Sequence, residues 1–131
     1  MRFSKTLNPK FADALVLLCI FSIIIFARLG LLGIPLERDE GGFAYVAKAM
    51  MDGAALYTDI FEIKPPLLYG IYATFIVFFG YSPEGIHTGL LIFNLTSIYL
   101  LYQLAKRLAG RLAALVSCAA FALLSLSPNL L

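Results

Sequence analysis

Three apolar stretches of twenty residues or more, in a chain of 131, constrain the fold more than any motif does. Phe11 to Ile34 runs for 24 residues, with Asp13 near its start and Arg28 near its end, while Ile86 to Ala105 and Leu112 to Leu131 run for 20 each. About 20 residues of helix cross the hydrocarbon core of a bilayer. A fourth stretch, Leu67 to Tyr81, has 15 residues, about 22 Å of helix at ~1.5 Å per residue, against a core about 30 Å thick. Composition agrees: 61% hydrophobic and 14% charged residues with a mean hydropathy of +0.89, where soluble domains hold about 45–50% apolar residues. The sequence predicts an all-α integral membrane protein, one membrane domain over 1–131 without room for a separate soluble domain.

Orientation follows from the lysine and arginine bias of short loops. Arg2, Lys5 and Lys10 precede the first stretch, which places the N-terminus in the cytoplasm, the plasma membrane being the expected bilayer. Lys106, Arg107 and Arg111 sit between the last two stretches and belong on the same side. Both conditions hold if 67–81 is an interfacial or re-entrant helix, with 11–34, 86–105 and 112–131 crossing and the segment 35–66 outside. About 24 apolar residues exceed a signal-peptide core and no small-residue cleavage pattern follows them, so the first stretch is expected to remain. Cys19 and Cys118 lie inside apolar stretches and read as reduced core thiols. Asn94-Leu95-Thr96 matches a glycosylation sequon but falls mid-membrane.

Six of the eight acidic residues fall between Glu37 and Glu62, in the single polar island of the sequence. Phe43, Val46, Ala47, Met50 and Met51 follow the spacing of one apolar helix face, with Glu40, Lys48 and Asp52 opposite, so 40–52 reads as an amphipathic helix lying along the membrane surface. Asp39 stands where an N-cap belongs and Gly53 where the helix stops. Asp39 has two readings, as a cap and, with Glu40 beside it, as a carboxylate able to take a proton from an incoming nucleophile. Lys64, held before Pro65 and Pro66, is a snorkelling anchor or a point charge for a phosphate. Asp59 and Glu62 complete ion pairs or hold a divalent cation, the one cofactor the residues admit. Arg28 snorkels outward or helps hold an anionic head group, and His87 beside Glu84 reads as an interfacial residue.

The order of these features carries a resemblance. A first membrane helix ending in Arg28, then Pro35, Arg38-Asp39-Glu40-Gly41, an amphipathic helix, Gly53, Tyr57, Asp59, Lys64-Pro65-Pro66-Leu67 and Tyr69, resembles the start of the polyprenyl-phosphate-sugar-dependent glycosyltransferases of GT-C fold, in the group of protein O-mannosyltransferases and lipid A aminoarabinose transferases. Tyr102, Lys106-Arg107 and Gly110, followed by a small-residue helix ending near Pro128, is similar to the next two membrane helices of that family. The resemblance implies transfer of a sugar, with inversion, from a lipid-phosphate donor to a protein, lipid or glycan acceptor at the external face. It implies Asp39 as general base with Glu40 beside it, and Lys64 stabilising the departing lipid phosphate. The family's acidic residue just before that lysine corresponds to Glu62, with Ile63 inserted. Its members are far longer, so the chain is read as an N-terminal portion or a truncated relative, inactive alone. Membrane lipids are expected partners and nucleic acid is not. The competing reading is a small non-catalytic membrane subunit or lipid-binding accessory, and a transporter fragment lacks the discontinuous helix pair of a midplane site.

Overall fold

The computed structural model describes residues 9–126, with side chains from Phe11 onward. Arg2, Lys5, the Lys10 side chain, Pro128 and the end of the last apolar stretch lie outside the described residues. Regular structure is helical: α1 Pro9–Leu29, α2 Arg38–Met51, α3 Pro66–Phe79 and α4 Pro83–Ser125, with one isolated bridge between Leu56 and Ile60. Two helices, over Phe11–Leu29 and Pro83–Ser125, are long and apolar enough to cross a membrane, whereas α3 is not.

The chain divides into two compact bodies. One comprises α1 and residues 94 onward. Here α4 is not one rod, because Gly110 has φ +85° and ψ −178°, a conformation open essentially to glycine alone. Residues 94–109 and 111–125 form two arms that fold back on each other: the Cys118 thiol donates to the Ile98 carbonyl at 3.4 Å, although 20 residues along a straight helix span roughly 30 Å. The close approach is built from small side chains, since Ala114, Cys118, Ala122 and Ser125 are the buried positions of the second arm, a pattern suited to tight helix contact in lipid. From α1, Ile20 and Ile24 are buried. Asp13 bonds to Tyr102, Lys106 and Arg111 near the turn, and Arg28 donates from Nη2 to the Ser125 carbonyl at 2.8 Å.

Several expectations are corrected here. The first helix ends at Leu29 rather than Ile34, since residues 30–33 turn. Arg28 therefore lies in its last turn, where a cation suits the helix dipole. Residues 106–111 are not a loop between two helices. Lys106, Arg107 and Leu108 are strong helix formers and continue the first arm to the glycine. Cys19 is exposed and only Cys118 is buried, because α1 turns its Ile20 and Ile24 face inward.

The other body, residues 30–93, is built on α2 and α3. Ala44, Val46 and Ala47 from α2 pack with Tyr69, Tyr72, Phe75 and Ile76 from α3 and Ile86 from the start of α4, with Phe43 and Met50 at the margin. The apolar face read from the sequence is thus the buried one, except that Met51 is exposed and Ala44 takes its place. The 14 residues of α3 extend about 21 Å. Start and end of α4 differ in their contacts, and its Gly89 lies against Phe75: a Cβ there would stand 2.2 Å from the ring.

Candidate functional site

The acidic island folds as a capped helix, a tight loop and a proline-led helix start. Its first correction concerns the cap. The residue preceding α2 is Glu37, extended at φ −61° and ψ 163°, and Asp39 is the second helical residue. Glu37 and Glu40 stand at capping-box spacing, and the Glu40 carboxylate accepts the Glu37 N–H at 3.4 Å. Asp39 has only Gly42 three residues on, which carries no reciprocating side chain. Relieved of the cap, Asp39 is exposed, and no hydrogen bond or ion pair engages it among the described residues. Its charge in the first turn favours the positive end of the helix. The helix ends at Met51 with Asp52 as C-cap, where Lys48 pairs with the Asp52 carboxylate and Gly53 follows.

Residues 54–60 form the loop. The Asp59 carboxylate accepts the Ala55 N–H at 2.8 Å, while the Asp59 N–H donates back to the Ala55 carbonyl at 2.9 Å. Asp59 therefore staples this loop. Tyr57 adopts φ +71°, uncommon for an aromatic residue, and its hydroxyl donates to the Lys64 carbonyl at 2.7 Å. Glu62 accepts a 2.7 Å bond from the Tyr69 hydroxyl. That bond, the main cause, lowers the Glu62 pKa below its ordinary value; burial, with the bond to Glu62 second, pushes Tyr69 up to about 12. Glu62 and Asp59 thus act on the backbone and on Tyr69. Among the described residues no three His, Cys, Asp or Glu side chains converge where a metal ion could sit.

Lys64 precedes Pro65, the N-cap of α3, and Pro66, its first residue. Its backbone is held by Tyr57 and its ammonium lies 5.1 Å from the centre of the Phe43 ring, a cation–π distance. Phe43 packs edge-on to Tyr69 and Tyr72, with centroids 6.3 and 5.6 Å away. Since Asp39 and Phe43 are four residues apart on α2, they share a face. The exposed Asp39 carboxylate thus lies about one helical turn along α2 from the residue whose ring carries the Lys64 ammonium. Tyr72 feels this acidic end: burial first, then the Glu40 and Asp39 charges, push it up to about 12.

Glu40 has a partner that its local sequence does not announce. His87 Nε2 lies 3.3 Å from Glu40 Oε2, and His87 Nδ1 lies 2.8 Å from the Leu32 carbonyl. The imidazole thereby joins the turn after α1, the start of α2 and the start of α4. Glu40 is engaged by both this ring and the Glu37 N–H, and Asp39 is the carboxylate of the pair left open. Arg28 belongs to the other body, where it caps the end of α4. Compared with models of known protein families, with characterised proteins and with solved structures, the chain matches none.

Proposed function

We propose that this chain is an integral membrane protein carrying the catalytic external loop of a GT-C glycosyltransferase, which moves a sugar from a polyprenyl-phosphate donor to a protein, lipid or glycan acceptor with inversion. The membrane assignment is supported by the side chains that α1 and α4 present outward: Leu18, Ile23, Phe26, Leu104, Leu108, Leu112 and Leu123 are all more than half exposed, a surface suited to hydrocarbon and costly in water. The observation that carries the transferase reading is that the acidic island keeps one open carboxylate, Asp39 in the first turn of α2, and sets the Lys64 ammonium over the Phe43 ring of the same helix. In this reading Asp39 takes the proton of the acceptor hydroxyl as its oxygen bonds to the anomeric carbon, and the bond from that carbon to the phosphate oxygen breaks. Lys64 meets the charge developing on the departing phosphate. Glu40, tied to His87, orients the start of α2 and does not act on the substrate. The N-terminus and the 106–111 segment lie on the cytoplasmic side and 35–66 outside.

The non-catalytic reading draws on the same geometry, because Glu40, Asp52, Asp59 and Glu62 all serve internal contacts. Donor binding separates the two. In membranes containing the complete enzyme, Lys64→Ala is expected to weaken binding of a polyprenyl-phosphate sugar by about tenfold or more while changing stability little, since an exposed lysine contributes at most about 1 kcal/mol. Equal donor binding by wild type and Lys64→Ala contradicts the transferase reading and leaves a structural loop.

A further inference from the structure

A second charged site lies in the body formed by α1 and the arms of α4. Asp13 is 3% exposed, yet it is the only acidic residue in 9–29 and 94–126. The Tyr102 hydroxyl donates to its Oδ2 at 2.7 Å, Lys106 Nζ donates to that oxygen at 3.1 Å and to the Tyr102 oxygen at 2.7 Å, and Arg111 Nε donates to Oδ1. One carboxylate is answered by two cations. Arg107, next to Lys106 and exposed, has no acidic partner among the described residues, so three cations against one carboxylate leave an excess of positive charge at this end.

The cations are held but not used up. Lys106 has a third ammonium hydrogen and Arg111 both of its terminal nitrogens without a partner among the described residues, and their side chains are 39% and 46% exposed. Asp13 and Tyr102 fix two long side chains that would otherwise lose rotamer freedom on binding an anion, and such preorganisation favours affinity. Guanidinium and ammonium donors suit a phosphate. Around them the surface is apolar: Leu108 is 78% exposed, Leu112 77% and Leu104 56%. A soluble anion would leave these leucines in water, whereas a phospholipid covers them with its chains while its phosphate meets the cations.

We infer that Lys106, Arg107 and Arg111, organised by Asp13 and Tyr102, form a binding site for the phosphate of an anionic phospholipid headgroup. The site rests on the membrane assignment and is independent of sugar transfer. Purified full chain in detergent is mixed with equal amounts of phosphatidylglycerol and phosphatidylcholine, and the retained lipid is counted by native mass spectrometry. Wild type is expected to prefer phosphatidylglycerol, and Arg107→Gln, which does not touch Asp13, to lower its retention about fivefold, the factor equivalent to ~1 kcal/mol per basic residue near an anionic surface. Lys106→Gln, whose amide can still donate to Asp13, is expected to do the same, and Arg38→Gln, an equal charge change outside the cluster, to leave retention unaltered. Equal retention of both lipids by wild type, no change in the two cluster variants, an equal loss in Arg38→Gln, or displacement of the lipid by millimolar inorganic phosphate would each overturn the assignment.

Discussion

His87 bonds to two segments distant from it in sequence, and the chemistry of its ring fixes how. A carbonyl and a carboxylate both only accept, so the 2.8 Å contact with Leu32 requires a hydrogen on Nδ1 and the 3.3 Å contact with Glu40 requires one on Nε2. His87→Ala leaves the Leu32 carbonyl and the Glu40 carboxylate without this partner. A loss of about 1–3 kcal/mol is expected, the cost of leaving a half-buried polar group unsatisfied, read as a lower midpoint of thermal unfolding. The Glu62–Tyr69 bond gives a pH dependence with a defined sign. The folded state lowers the Glu62 pKa from 4.5, chiefly through the Tyr69 hydroxyl, so the contribution is complete above pH 4.5 and is lost as pH falls through the lower folded value. Amide exchange in 62–64 is expected to accelerate below pH 4.5 in wild type, and Tyr69→Phe to remove most of that dependence. An identical acid response in the two proteins would contradict the assignment of the shift to this bond.

At the scale of elements, two glycines of α4 are constrained, Gly110 by its backbone and Gly89 by its closeness to Phe75. Gly110 turns the helix into a hairpin, and any other residue in that backbone region costs about 1–3 kcal/mol. Gly110→Ala is expected to lower the unfolding midpoint and to make Cys118, buried between the arms, react faster with a thiol reagent. Gly89→Ala places a methyl group 2.2 Å from Phe75, an overpacking of about 1–3 kcal/mol, and Phe75→Leu in the same chain is expected to recover part of the loss. The elements themselves were largely legible, because apolar run length separates α1 and the arms of α4 from the short α3, and the spacing from Phe43 to Met50 marks the buried face of α2. Their ends were less so. The start of α2 was misplaced by two residues because any Asp before an amphipathic run looks like a cap, whereas the spacing of Glu37 to Glu40 decides it. The basic stretch 106–111 reads as a loop in sequence because its charges interrupt two apolar runs, while in the structure only Gly110 breaks the helix.

For the molecule as a whole, what sequence could not show are the contacts that join distant segments. Asp13 bonds to residues 89 to 98 positions away, and in the sequence it was only an interruption near the start of an apolar run. His87 and Glu40 are 47 residues apart, and no periodicity links them. Candidate site residues fared unevenly for the same reason. Asp39 stays open to solvent and Lys64 lies over the Phe43 ring, while Asp59 and Glu62 are drawn into loop and side-chain bonds that only the folded chain reveals. The proposed topology is checked by single-cysteine labelling with an impermeant reagent: positions 40, 52 and 62 are expected to react from outside the cell and 107 and 111 not to, the reverse pattern contradicting it. The central claim is that Asp39 is a base rather than a helix-end charge, and Asp39→Asn tests it most directly. An amide retains the size of the side chain and loses at most about 1 kcal/mol of interaction with the helix end, but it cannot accept a proton from the acceptor. In the complete enzyme, supplied in membranes with a polyprenyl-phosphate sugar and its acceptor, Asp39→Asn is expected to bind the donor as wild type does and to transfer sugar about 10²–10⁴-fold more slowly; transfer at the wild-type rate would contradict the account.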